Sequence, residues 1–201
     1  MPARVDHEQR RRQIAEALLR IAATRGLQAA SMREVAGEAG VSVRLVQYYF
    51  STKEQLLLGS LPYLAERLTT RVQARMAGLS SPPSPRDVVE GVLTAVLPTD
   101  EESRSIRRTY DAFYALVLTD PGLAEQDVAR DPDALERLLA HHVARGQEAG
   151  DVSGDHDATV VAAGLLALTN GLGASVVGGQ RSGEAATAVL GYHLDRLFTG
   201  H

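Results

Sequence analysis

Between residues 33 and 53 the chain gathers side chains suited to hydrogen bonding with a duplex polyanion. Arg44 can bridge O6 and N7 of guanine, and Gln47 can pair with N6 and N7 of adenine. Val43 offers an apolar neighbour beside them, and Arg33 can reach either a base or a phosphate. Tyr48 and Tyr49 carry hydroxyls able to hold phosphates, although Tyr49 suits a partly buried place equally well. Lys53, the single lysine of the chain, follows them. Other chemistry finds no framework. The sequence has no G-x-x-x-x-G-K-[ST] loop, G-x-S-x-G elbow, H-E-x-x-H or C-x-x-C. His141 and His142 are adjacent and leave a helix in different directions, so they cannot form an i, i+4 metal pair. Asp151, Asp155, His156 and Asp157 lack a fixed ligand spacing and read as a polar loop. These patterns predict no catalytic residue, metal or cofactor.

The elements that must hold the basic and polar set are short helices. Ser31 and Glu34 have the S-x-x-E spacing of a capping box, in which serine and glutamate satisfy orphan N–H groups reciprocally. Met32, Val35, Ala36 and Ala39 recur at helical spacing and form one apolar face. Gly40 can turn the chain through a left-handed residue, where a Cβ would clash. Val41 fills the turn and Ser42 is placed to cap the next helix. Val46 and Phe50, four apart, face the core together, which turns Arg44, Gln47 and Tyr48 elsewhere. This is the pattern of a helix-turn-helix, whose second helix fits a major groove. A second S-x-x-E box, Ser51 to Glu54, predicts the start of another helix. Its N–H groups and Lys53 together would suit an anion.

The run EVAGEAGVSVRLVQYYFSTKEQLL resembles the DNA-binding domain of the TetR family of bacterial transcriptional regulators. The A-G-V-S turn, the Y-Y-F ending the recognition helix and the K-E pair fall in register, and the close resemblance covers about residues 8 to 58. The family often has glycine where Arg44 stands and tyrosine where Gln47 stands. The resemblance implies a homodimer on a palindromic operator, with recognition helices in successive grooves about 34–36 Å apart or somewhat more. It also implies a body that binds a small-molecule effector, and release of DNA when the effector is bound. An activator of the same fold, or a helical module that binds protein, remains the alternative.

Composition agrees with a globular chain. The 201 residues are 44% hydrophobic and 23% charged, with no cysteine, which excludes disulfides and thiolate metal sites. The start, MPARVDHEQRRR, has no apolar signal core, and no apolar run is taken to approach the roughly 20 residues of a membrane span. A cytoplasmic protein without membrane association is predicted. The net charge of −4 conceals an asymmetry. Residues 1–53 carry nine basic and five acidic side chains, a head of +4 on a body of −8.

No strand pattern or repeat occurs, so the predicted fold is all-α. An N-terminal helix-turn-helix domain, 1–53, is joined by a connector helix, 53–77, to a helical effector-binding and dimerisation domain, 78–201. A first helix from about His7 to Thr24 buries Ile14, Ala17, Leu18, Ile21 and Ala22 and ends at Gly26. Its Arg10-Arg11-Arg12 cluster can touch phosphate or simply face solvent. The connector contains Pro62, which removes a hydrogen bond and predicts a kink. As the one link between head and body, it must carry any signal. The stretch GLSSPPSP, 78–85, is a linker by composition, followed by a helix with Ser84 as N-cap, Pro85 at N1 and Asp87 in the first turn. Helices follow from about Asp100 to Leu118, from Asp131-Pro132 to about Gly150 (burying Leu135, Leu138, Leu139 and Val143), across 155–178, and from about Glu184 to Phe198. Gly164, Ala167, Gly171, Ala174 and Gly178 step by three and four along one face and invite close approach of a partner helix. The last two helices are therefore predicted to build a four-helix dimer interface. An effector pocket of the kind the family carries would draw on Tyr110, Phe113, Tyr114, His141 or His142, and Asn170.

Overall fold

The computed structural model describes residues 2–79, 81–119 and 134–198. All regular structure among them is helical: α1 Pro2–Arg25, a 3-10 turn Leu27–Ala29, α2 Met32–Ala39, α3 Val43–Tyr49, α4 Lys53–Ala77, α5 Pro85–Val96, α6 Glu101–Thr119, α7 Ala134–Ala149, α8 Ala158–Val177 and α9 Gly183–Leu197. The predicted start of α7 at Asp131-Pro132, and the break at Asp120-Pro121, lie outside the described residues.

Packing divides the chain into two compact units. One combines the chain up to Arg67 with the α6 segment from Arg108; the other combines Leu68–Arg107 with the chain from α7 onward. The division falls inside α4 and inside α6, not at the 78–85 linker. Two helices, α4 and α6, therefore contribute to both units. α4 itself runs unbroken past Pro62. The missing N–H at that position costs one intrahelical bond, while the flanking turns continue.

In the first unit Ile14, Leu18 and Ile21 of α1, Val35 of α2, Val46 and Phe50 at α3, and Leu56 of α4 are essentially inaccessible. Gly26, at φ +79°, ends α1 with its N–H on the Ala22 carbonyl, and Gly40, at φ +65°, makes the left-handed turn between α2 and α3. Gly59 permits a close approach. A Cβ there would stand 2.6 Å from Cε1 of the buried Phe50 ring, against which the Arg11 guanidinium is also placed, 4.6 Å from the ring centroid.

The second unit is built around Val89, Val92, Leu93 and Leu97 from α5 and the turn after it, Leu139 and Val143 of α7, Ala162, Leu165 and Leu172 of α8, and Leu190 and Leu194 of α9. α5 begins as its sequence predicts. Ser84 Oγ accepts from Asp87 N–H at 3.1 Å, and the Asp87 carboxylate accepts from Ser84 N–H at 3.0 Å. α7 corrects one expectation: Leu139 and Val143 are buried, Leu135 only half so, and Leu138 is exposed. Positions 139 and 143, four apart, define the core-facing line, and 138 lies a full 100° away from 139 around the helix. The loop after α7 is a hydrogen-bonded turn. Gln147 Nε2 donates to the carbonyls of Ser153 and His156, Asp155 accepts from the Ser153 hydroxyl, and Asp157 caps α8 through Thr159 N–H at 2.7 Å.

By length and composition α8 is long and apolar enough to cross a membrane, contrary to the estimate that no segment approaches that length. Its twenty residues include no charged side chain. The apolarity has a packing cause on one side, where Ala162, Leu165, Thr169, Leu172, Gly173 and Val176 are buried against the second unit's own helices.

Candidate nucleic-acid interface

The helix-turn-helix is held by its caps. Ser31 Oγ accepts from Glu34 N–H at 3.1 Å, and Ser42 Oγ accepts from Leu45 N–H at 3.2 Å. Only half of the first predicted capping box forms. The Ser31 N–H donates instead to the Ala29 carbonyl, because the preceding 3-10 turn brings that oxygen within 3.0 Å. Glu34 is thereby released to receive Arg25 of α1 at 2.9 Å. Arg20 of α1 similarly reaches Glu38 of α2 at 2.7 Å. The two pairs pin α2 along α1, and Gln13 adds a bond to the Ala39 carbonyl at 2.7 Å.

The second predicted box is shifted by one residue. Thr52, not Ser51, supplies the cap, accepting from Gln55 N–H at 3.1 Å, and the Gln55 side chain takes the Ser51 N–H at 3.2 Å. Hydrogen bonds from its own backbone N–H and from Thr52 hold the Glu54 carboxyl below the usual carboxylate range, with Lys53 adding to them. The Gln55 and Leu56 N–H groups of the first turn are thus engaged by Thr52. The Lys53 side chain beside them is half-buried.

α3 presents its outer surface as the sequence spacing requires. Val46 and Phe50 are buried, while Arg44, Gln47 and Tyr48 are exposed, Tyr48 by 71%. Val43 is half-buried at the start of the helix, and Arg33 is exposed on α2. Tyr49 is half-buried, and its ring packs against a residue that the spacing did not reveal: the His7 ring of α1 lies 4.6 Å from it, centroid to centroid. Nothing in the apolar stripe of α1 singles out His7, since its contact depends on where α3 ends in space.

The arginine cluster of α1 resolves into separate structural duties. Arg10 donates to Gln13 at 2.9 Å, Arg11 covers the Phe50 ring, and Arg12 reaches both carboxylate oxygens of Glu66, at 2.8 and 2.6 Å, lying also over the Tyr63 ring. Beside it Tyr63 donates to Glu8 Oε1 at 2.6 Å. Burial first, then the bond to Glu8, push the phenol of Tyr63 up to about 12. These contacts fasten α1 to α4 within the first unit.

The five effector candidates fall in both units. Tyr110 and Tyr114, both about half exposed, stack nearly parallel at 6.3 Å, one helical turn apart, and Phe113 is buried. All three lie in the α6 segment of the first unit. His141 and Asn170 belong to the second unit, and both are exposed there. His142 is half-buried, and burial, with His141 and Arg145 beside it, lowers its imidazole below the usual value. Asn170 is not an isolated amide. Arg107 of α6 donates to its side-chain oxygen at 3.0 Å and to its carbonyl at 3.1 Å. Gly173 makes room for that guanidinium, since a Cβ there would meet Arg107 Nη1 at 2.8 Å.

Capped α2 and α3 around a left-handed glycine, a buried Val46 and Phe50, and an outward Arg44 and Gln47 define a helix-turn-helix DNA-binding protein. The profile of bacterial regulatory proteins of the tetR family matches residues 14–59, and that of the BetI-type transcriptional repressor C-terminal region matches residues 85–199. The chain belongs to the TetR family, with a BetI-type C-terminal region, and is a transcriptional regulator of that kind; the family is one of DNA-binding regulators, not of enzymes. The HTH-type transcriptional regulator PksA of Bacillus subtilis (strain 168) is 37% identical over 116 residues, 57% of this chain and 55% of that protein, so the match spans about half of its length. The HTH-type transcriptional regulator BetI of Serratia proteamaculans (strain 568) is 28% identical over 81% of this chain and 78% of its own. A transcriptional regulator from Saccharomonospora viridis, solved in complex with choline, superposes with a TM-score of 0.81 at 26% identity, covering 94% of this chain and 96% of that one. TetR-family regulators bind DNA and function as dimers.

Proposed function

We propose that this chain is a cytoplasmic repressor that binds a palindromic operator as a homodimer and leaves it when a small molecule occupies the body. Residues 1–53 form the reading head, α4 connects it, and 78–201 form the effector and dimerisation region. The carrying observation is the division of α3, which buries Val46 and Phe50 while Arg44, Gln47 and Tyr48 stand exposed. Arg44 and Gln47 read bases beside Val43, Arg33 contacts a base or phosphate, and Tyr48, Tyr49 and Lys53 hold phosphates. Dimerisation uses α8 and α9. Gly164, Ala167, Gly171 and Ala174 are exposed along α8, with open space around Gly164 and Gly171, and two such faces can approach closely. The effector acts by binding one conformer more tightly than the other. Tyr110, Phe113 and Tyr114 within the first unit, and separately His141 and Asn170 within the second, are the candidate contacts, and choline, held by the regulator from Saccharomonospora viridis, is the first compound to try.

The test is selection of duplexes from fragmented genomic DNA at about physiological salt. A short recurring palindrome, bound by a dimer and released on addition of a small molecule, supports the proposal. Recovery of no sequence above background, from protein shown to be free of bound small molecules, removes it.

A further inference from the structure

We infer that His7 is a further DNA-phosphate ligand, extending the contact surface from the helix-turn-helix onto the first turns of α1. The inference rests on the proposed reading of α3 as the recognition helix. Three rings with polar tips meet where α3 ends. The His7 ring lies 4.6 Å from Tyr49 and 6.3 Å from Tyr48, and the two tyrosines lie edge-on at 5.1 Å. His7 and Tyr48 are exposed and Tyr49 is half-buried. Among the described residues none of the three polar tips has a hydrogen-bond partner within the protein. An aromatic as exposed as Tyr48, at 71%, contributes little to a core. Three neighbouring donors without acceptors are instead suited to a ligand composed of acceptors, and a phosphodiester supplies only acceptor oxygens.

The charges around His7 fit that assignment. Its two acidic neighbours on α1 are drawn elsewhere: Glu8 Oε1 accepts the Tyr63 hydroxyl at 2.6 Å, and Asp6 lies 3.9 Å from the Arg10 guanidinium. From α3 the two phenol rings pack against the imidazole. One phosphate can thus be shared between an imidazole N–H and a tyrosine O–H.

The competing role is that of a spacer that only holds the tyrosine rings, and three variants separate the two. His7→Phe keeps a ring against Tyr49 and removes the N–H donors; His7→Lys removes the ring and supplies a fixed cation; His7→Ala removes both. Affinity is measured by fluorescence anisotropy on a labelled duplex carrying the selected palindrome and on a random-sequence duplex of equal length, each across a series of salt concentrations. The inference requires His7→Phe and His7→Ala to weaken binding similarly, by roughly threefold to tenfold on both duplexes, as loss of one hydrogen bond does. His7→Lys should retain wild-type affinity or exceed it, with a salt slope steeper than that of His7→Phe by up to about 0.9. Wild-type affinity in His7→Phe with loss in His7→Lys would make the ring a spacer and overturn the inference. A wild-type protein that binds neither duplex would overturn the reading of α3 itself, and the inference with it.

Discussion

At the scale of single residues, contacts to bases and contacts to phosphates predict different phenotypes. Arg44 is exposed on α3 and is assigned a base edge. Arg44→Ala is expected to weaken operator binding by about 1–3 kcal/mol and to relax preference at one base position. Titration of the variant against operators altered one position at a time checks this, and equal loss on every sequence would remove the base-reading role. Lys53 is assigned a phosphate. Lys53→Ala should weaken all sequences alike and lower the slope of log affinity against log salt by roughly one. The side-chain types of both positions were legible from the sequence. The duties of Arg10, Arg11 and Arg12 were not. Three adjacent arginines look interchangeable in one dimension, yet they point to Gln13, to the Phe50 ring and to Glu66, because neighbours on a helix diverge by 100°.

At the scale of elements, the packing of α4 against α3 and α1 carries two predictions. Gly59→Ala places a methyl 2.6 Å from Cε1 of a ring that is 1% exposed. Overpacking of this kind costs about 1–3 kcal/mol, and only up to about 1 kcal/mol returns through better helix propensity. A lower urea midpoint at unchanged slope is the expected result. Tyr63 supplies a pH signature. Its phenol is raised in the folded state to about 12, against an ordinary value of 10.0. The protonated form is therefore the one folding favours. Its contribution is complete below pH 10 and is lost as pH rises from 10 towards 12. Tyr63→Phe should flatten that part of the stability curve, followed by denaturant melts at stepped alkaline pH. A variant whose curve falls as steeply as wild type would place the alkaline sensitivity elsewhere. Elements also show where local pattern misleads. Both S-x-x-E signals lie near true caps, but Glu34 goes to Arg25 and the α4 cap shifts to Thr52 and Gln55. A capping box describes what a segment can do alone, and a neighbouring arginine or a preceding turn outcompetes it.

At the scale of the whole molecule, assembly decides function, since two heads must be held at one spacing. Gly171 is exposed, and an added Cβ there has no described atom within 4 Å beyond its own helix backbone. Gly171→Leu should leave helical content and monomer folding intact, yet shift the protein towards monomer and weaken operator binding. Sedimentation velocity combined with an operator titration tests this. A leucine variant that remains a dimer of wild-type affinity would move the interface away from this face of α8. The same helix shows how composition is ambiguous at this scale. Twenty uncharged, mostly apolar residues satisfy a membrane-span criterion, but one side of α8 is occupied by the second unit's core and the other carries a line of glycine and alanine.

The sequence by itself determined the elements and the class of protein. Helical spacing of apolar residues, Gly40 at the turn and the serine caps suffice to write α2 and α3, because these signals act within a few residues of one another. The outward set of Arg44, Gln47 and Tyr48 follows once Val46 and Phe50 are assigned inward. Tertiary structure alone decided which distant side chains meet. His7 against Tyr49, Arg12 on Glu66 and Arg107 on Asn170 join residues 42, 54 and 63 positions apart. It also decided that the compact units divide within α4 and α6 and not at the proline-rich linker. The reason is geometric. Periodicity records which face of a helix is buried, whereas the partner on that face is chosen by crossing angles and by the space left by residues such as Gly59 and Gly173.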